Sequence, residues 1–350
     1  MNKNTLKSFN AFVIKETRHL LRDPRTLLIA LLMPVVQMLL FGFAISTDVN
    51  SINIAVSDPY GHHDTGKLIC RMEANPLFRF TGYLNPDETV QVLTDGEASA
   101  VISFTADHSA DIAVDGSNPI IARSAAAYVS AMLSDASPGI GVRILYNPRL
   151  LSAYNFVPGI MGLIFILICA MLTSVSIVRE KESGTIEVLL VSPIRPGMIY
   201  IGKLIPYFVL SFIDLTAILL IAHYALEVPL SGSMSALIAL SAIYIITALG
   251  LGLCISTMVN TQMIALLISG MVLMMPVIML SGMLFPIENM PAPLQWLSAI
   301  VPARWFISAT RKLMIQGLGW HEVATEAMIL AGMMVAVITL AVKRFNPRLK

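Results

Sequence analysis

Six apolar runs punctuate this chain, each long enough to cross a bilayer: Leu27–Ile45, Phe156–Val178, Leu204–Ala222, Ala236–Met258, Met263–Leu284 and Thr325–Val342. Each predicts a helix. Ahead of the first run, Thr5–Arg22 has helical period, with Leu6, Phe9, Phe12, Val13 and Leu20 on one side and Lys7, Lys15, Arg18 and Arg22 opposite. Glu16 breaks the apolar side. Such a helix fits flat on an anionic cytoplasmic leaflet, apolar face down, and Asp23-Pro24 ends it. A secretory signal peptide competes for the first run, because Ala44-Ile45-Ser46 resembles a cleavage site. The basic region before it is too long for that, and its 19 residues exceed the roughly 7–15 of a signal's apolar core. A retained span is expected.

Between the first and second runs, residues 48–153 change character. Asp48 to Ser152 holds 12 of the 22 acidic residues and only 6 Lys or Arg. Ile52, Ile54 and Val56 alternate with Asn53, Ala55 and Ser57, and Ala100-Ile102-Phe104 and Ile112-Val114 repeat that strand period. Gly66–Asn75 and Pro86–Gly96 read as helices, and Asn118-Pro119 opens another that runs to about Ser134. Strands alternating with helices predict a small α/β domain. No phosphate loop and no nucleophile–base pairing is legible in it. The fold class expected is therefore an α-helical integral membrane protein of six transmembrane helices with an inserted extracytoplasmic α/β domain.

Composition agrees with a membrane protein. Of 350 residues, 56% are hydrophobic and 13% charged, against roughly 25% charged in a soluble domain, and mean hydropathy is +0.76. Positive charge gathers in residues 1–26, in the central loop 179–203 and in the tail after Val342. Six spans place those three regions on one side, so both termini and the central loop are expected in the cytoplasm. A net charge of +1 without a basic run interleaved with aromatics excludes a nucleic-acid partner. Cys169 and Cys254 lie in apolar runs and Cys70 stands alone, so no disulfide framework is expected. His62-His63-Asp64 is the nearest approach to a metal site and sits in a turn-like stretch; no metal is expected.

The central loop carries the densest charge. After Arg179-Glu180-Lys181-Glu182 and Ser183-Gly184, Ile186, Leu189 and Leu190 recur at helical spacing with Glu187 off their face, and Pro193 and Pro196 end the segment. The apolar face of this short helix needs cover, either from the membrane surface and the chain's own helices or from a second protein. Residues 285–324 hold Trp296, Trp305 and Trp320, suited to a membrane interface, with Pro291–Ile300 and Ala303–Ile315 as short helices dipping into it. Asp214, ten residues into the third span, is an intramembrane carboxylate and hence a candidate for the translocation path or, alternatively, for holding neighbouring helices together. Gln37, Tyr244 and Gln262 pose the same question more weakly. The methionines between Met271 and Met283 suit an adaptable wall or plain apolar packing. Gly197 to Lys203 has the spacing of a Walker A loop, but Leu204 stands where Ser or Thr must hold magnesium, and the segment runs into a span.

Arg179-Glu180-Lys181-Glu182-Ser183-Gly184-Thr185-Ile186-Glu187, followed by Leu189-Leu190-Val191-Ser192-Pro193, resembles the cytoplasmic signature of ABC-2-type permeases, above all the bacterial inner-membrane subunits of multidrug exporters. The likeness extends to Lys15-Glu16 with Leu21-Arg22-Asp23-Pro24, to Asp115-Gly116-Ser117-Asn118, and to Leu280-Ser281-Gly282 with Pro286-Ile287-Glu288-Asn289-Met290-Pro291. The resemblance implies a half-transporter, homo- or heterodimeric, that binds two ATP-hydrolysing subunits through the central loop and the amphipathic N-terminal helix. It places Glu180, Glu182, Gly184, Thr185 and Glu187 on a coupling helix, with Leu189 and Leu190 on its apolar face. ATP and magnesium would sit on the partner, this chain holding no cofactor and being no enzyme. The substrate is not implied, although a drug-like or amphipathic compound suits the exporters it resembles, and a periplasmic adaptor is compatible. The rival reading is a membrane-anchored receptor or scaffold, against which six spans and Asp214 count. An intramembrane metalloenzyme is weaker still, since His321-Glu322 lacks a second histidine four residues on.

Overall fold

The computed structural model describes residues 3–44, 52–61, 63–75, 78–95, 97–106, 109–114, 119–136, 151–185 and 196–344. The chain divides into a helical unit, residues 1–45 with 153–350, and a smaller unit, residues 46–152. The helical unit opens with α1 (Lys3–Leu21) and α2 (Pro24–Ala44). Asp23 caps α2: its carboxylate accepts the Thr26 backbone N–H at 3.2 Å and the Thr26 hydroxyl at 2.7 Å, with Pro24 at the first helical position. The stretches Lys7–Leu21 and Thr26–Gly42 meet at 70°, an elbow that ends the amphipathic pattern and starts the apolar one.

The smaller unit is a four-stranded sheet with helices. β1 (Ile52–Ser57) runs parallel to β2 (Phe78–Tyr83) on one side and to β3 (Ala100–Phe104) on the other, and β4 (Ala110–Val114) is antiparallel to β3, giving the order β2-β1-β3-β4. Helices α3 (His63–Glu73), α4 (Thr89–Thr94) and α5 (Pro119–Ala136) accompany it. Ile52, Ile54 and Val56 pack with Leu68, Met72, Phe78, Ile102 and Val129, while Ala55 and Val101 pack on the opposite side with Val92 and Leu93 of α4. The sequence reading had no strand at Phe78–Tyr83. Phe78-Arg79-Phe80-Thr81 does alternate, but for only four residues before Gly82, whose φ of +140° accompanies a shift of the register with β1 between Ile54 and Ala55. His63 opens α3 rather than lying in a turn, and His62 lies outside the described residues, as do Asp115 to Asn118.

The helical unit resumes with α6 (Ser152–Glu182), α7 (Pro196–Tyr224), α8 (Met234–Met258) and α9 (Gln262–Leu280). It closes with α10 (Ala292–Ser298), α11 (Pro302–Met314) and α12 (Ala324–Arg344). Five of these, α6 to α9 and the stretch His321–Arg344, are long and apolar enough to cross a membrane, and the α1–α2 pair makes a sixth if counted as one bent span. The charged stretch after Val178 does not leave the helix: Arg179 to Glu182 form the last turn of α6, and Pro196 opens α7. This corrects the expectation that Glu180 and Glu182 stand on a separate loop helix. Arg, Glu and Lys are good helix formers, so the helix runs on to Glu182 and ends at the turn Ser183-Gly184, where Gly184 stands at φ +72°. Ile186 to Arg195, with Glu187, Leu189 and Leu190, lie outside the described residues.

The core lies among α6, α7, α8 and α11. Tyr244 is stacked on Phe306 with ring centroids 4.2 Å apart, Phe165 meets Phe306 edge-on, and the Tyr244 hydroxyl donates to the Gly162 carbonyl at 2.7 Å. Gly252 of α8 lies so near α6 that a Cβ there would stand 2.8 Å from the Ala170 Cα, which is how small residues bring helices together without a hydrophobic gradient between them. A π-helical turn, Ile268–Val272, interrupts α9. Its Ser269 bonds Ser174 of α6 at 2.8 Å, while Met263, Met271, Met274, Met275 and Met279 stay exposed.

Candidate functional site

Four charged residues occupy the last turn of α6, and at about 100° per residue they point four ways. The Arg179 Nη1 donates to Asp23 Oδ2 in the α1–α2 elbow at 3.3 Å, and its Nε donates to Gln262 Oε1 at 3.2 Å. Glu180 Oε1 lies 2.7 Å from Lys203 Nζ on α7. Lys181 Nζ donates to the carbonyls of Ser256 and Val259 at the end of α8, where unpaired carbonyls favour a cation. Glu182 Oε2 accepts the Gln262 side-chain N–H at 2.7 Å and its backbone N–H at 3.3 Å, completing the start of α9, where a carboxylate is favoured. One helical turn thus holds the elbow and three helices.

Lys203 is the centre of this arrangement. It is 3% exposed and lies between Glu180 and Glu16, whose Oε2 is 3.4 Å away. Glu16, 6% exposed, also takes Lys15 Nζ at 3.0 Å. The apolar residues beside Glu16 bring it there: Phe12 and Leu20 are buried, and Gly202 of α7 lies so close that a Cβ on it would stand 2.7 Å from the Phe12 ring. The face expected to lie on the leaflet is therefore covered by α7, and Glu16, a break in that face, is the residue that meets the cation. Among the described residues the turn after α6 is closed by Ser183 and Thr185, whose hydroxyls are 2.9 Å apart and both donate to the Glu180 carbonyl.

Burial pushes the Glu16 carboxyl up, but the Lys203 ammonium and the Lys15 hydrogen bond outweigh it and hold the group below the ordinary glutamate range. The hydrogen bonds from Thr26, aided by Arg179, hold Asp23 low as well. Both carboxyls bind protons more weakly folded than unfolded. Their stabilisation is therefore present above the ordinary carboxylate range and lost as pH falls through and below about 4. The unfolding midpoint of the purified chain should fall on acidification through that window, and Glu16→Gln should flatten the decline.

The other sequence candidates are not brought together. Gln262 belongs to the charged cluster. Gln37 is half-buried on α2. Tyr244 is fully enclosed between α6 and α11. Asp214 is 3% exposed on α7, and its Oδ1 has no hydrogen-bond partner among the described residues. Trp296 is 78% exposed; Trp305 donates to the Ala299 carbonyl at 3.0 Å, and Trp320 to the Ser235 hydroxyl at 3.1 Å. Nearby, Arg311 of α11 donates to the Gly282 carbonyl at 2.9 Å, fixing the turn after α9. Sequence reasoning missed Glu16, Asp23, Arg179 and Lys203 as a set. The signals were a carboxylate inside an apolar stripe and a lysine at the head of an apolar run.

The sequence pattern of the ABC-2 family transporter proteins matches residues 24–343. The probable multidrug ABC transporter permease YbhR of Escherichia coli K12 is 32% identical over 325 residues, covering 86% of this chain and 88% of that protein. Its counterpart YbhS, from the same strain, is 29% identical over 332 residues, 88% of each. ABC transporter G family member 20 of Dictyostelium discoideum is 24% identical over 364 residues, covering 94% of this chain and 49% of that protein.

Proposed function

The chain belongs to the ABC-2 family of transporter proteins, and on that premise we propose that it is the membrane-spanning permease subunit of an ATP-driven exporter in a bacterial inner membrane. A separate cytoplasmic subunit binds and hydrolyses ATP with magnesium, and a second permease chain, the same or different, completes the path. The cargo is a drug-like or amphipathic compound, in keeping with the names of the two Escherichia coli relatives. Both termini and the segment 183–195 face the cytoplasm, and the unit of residues 46–152 lies outside, where a periplasmic adaptor could meet it.

The observation that carries this reading is the last turn of α6. A push on the segment that follows Glu182 reaches four anchorages at once: Asp23, Lys203, the end of α8 and Gln262. A rigid element with several anchorages can move helices as a group, which is what coupling nucleotide binding to a membrane path requires. Glu180, Glu182, Gly184, Thr185, Glu187, Leu189 and Leu190 make the contact with the ATPase subunit. Asp214, buried on α7 with an oxygen that has no hydrogen-bond partner among the described residues, is the path residue, while Trp296, Trp305 and Trp320 seat the outer segment at the interface. A pull-down in mild detergent tests this. A nucleotide-binding protein with ATPase activity should co-purify, and a preparation with no such partner would overturn the reading.

A further inference from the structure

Two cavities meet where α1 approaches α6. One, of about 300 Å³, has an apolar wall formed by Leu20, Ile29, Leu172, Val175 and Leu266 and a charged end where Glu16, Asp23, Glu180 and Lys203 line it. The other, a cleft of about 760 Å³, is lined by Lys15, Arg18, His19, Arg22 and Arg179, with Glu180 as its one carboxylate among the described residues and the hydroxyl residues Ser183 and Thr185 of the coupling turn beside it. His19, Arg179 and Glu180 line both, so the basic cleft and the apolar cavity are neighbours. Lys15 and Arg179 already face carboxylates, whereas the side chains of Arg18 and Arg22 have no partner among the described residues.

We infer that this pair of cavities seats one phospholipid with an anionic headgroup, its phosphate among Arg18, Arg22 and Arg179 and the beginning of an acyl chain in the apolar cavity. The inference rests on the proposed orientation, which puts α1 at the cytoplasmic leaflet. Charge selects the headgroup: a choline cation would meet Arg18 and Arg22, whose charge no carboxylate offsets, whereas an anionic headgroup gains about 1 kcal/mol for each nearby cation. The apolar wall selects a lipid over a free anion or an acidic protein surface, neither of which fills it. Each space taken singly is within the range of small-molecule sites, about 300–1,000 Å³. The bound lipid would lie against Arg179 and Glu180, and so would set how firmly α1 is held to the turn that carries the coupling contacts.

The test uses the purified full chain with bicelles of phosphatidylcholine alone or with phosphatidylglycerol, reading bound lipid by native mass spectrometry. Phosphatidylglycerol should be retained at least tenfold over phosphatidylcholine. R18Q/R22Q should lose about thirtyfold in phosphatidylglycerol affinity, the loss of two cations. V175F should exclude the chain, and Ile29→Trp, at an exposed position on the rim, repeats that test if V175F does not fold. Equal retention of the two lipids would overturn the proposal. So would undiminished phosphatidylglycerol binding in V175F and Ile29→Trp with competition by glycerol 3-phosphate, which marks a free-anion site. Loss of the ATP-binding subunit in R18Q/R22Q with lipid binding unchanged would instead make the cleft a protein contact. No transport is read, so failure here leaves the permease reading standing, which falls only on the pull-down.

Discussion

Lys203→Met is expected to lower the stability of the helical unit by about 3 kcal/mol and to abolish ATP-driven transport, because it takes the ammonium partner from the half-buried Glu180 and leaves the buried Glu16 with Lys15 alone. Thermal unfolding in detergent and transport in vesicles are the two measurements. Replacing an entire buried ion cluster with neutral groups is far less damaging than removing one member. The triple variant K203M/E16Q/E180Q should therefore regain most of the lost stability. It should not regain transport, since α1, α6 and α7 would then touch through weaker bonds with no charge to hold one arrangement over another. Parental stability in K203M alone would sink the account of Lys203 as the centre of the cluster.

The second large effect concerns the segment between α6 and α7. Glu187→Lys together with Glu182→Lys should reduce nucleotide-driven transport at least tenfold, about 1.4 kcal/mol or more of lost coupling. The two sites are not equivalent. Glu182 also completes the start of α9 through both bonds to Gln262, so Lys there disturbs the membrane helices as well as the proposed docking contact. Glu182→Gln keeps an acceptor for Gln262 and separates the two causes. If E182Q transports normally while the double reversal keeps its ATPase partner and its transport, the docking role is wrong.

Much of the helical unit was legible because membrane helices announce themselves by length and apolarity. The ends were harder. α6 and α7 run past their apolar stretches into Glu182 and back to Pro196, since helix propensity does not stop where hydropathy does. The charged site was half legible. Arg179 to Glu182 stood out as a run of charge, but which direction each one faces depends on neighbours distant in sequence. Lys203 looked like one more cation of the positive side, and nothing local distinguishes a lysine that snorkels from one buried between two carboxylates. Gln262 is from sequence only a weaker counterpart of Asp214, and nothing local foretells that its amide bridges Glu182 and Arg179. Tyr244 poses the same ambiguity, and its stacking on Phe306 and its bond to Gly162 are contacts that no local pattern foretells.

The fan of four charges at the end of α6 also makes that turn sensitive to phase. Inserting one residue ahead of Arg179 would rotate every following side chain by about 100° around the helix axis. Glu180 would swing towards the direction in which Lys181 now meets the end of α8, and Lys181 towards Glu182's place beside Gln262, turning each favourable contact into a mismatch of sign or reach. The turn therefore behaves as a four-toothed key, cut to a single rotational setting, in which length matters as much as the identity of the residues.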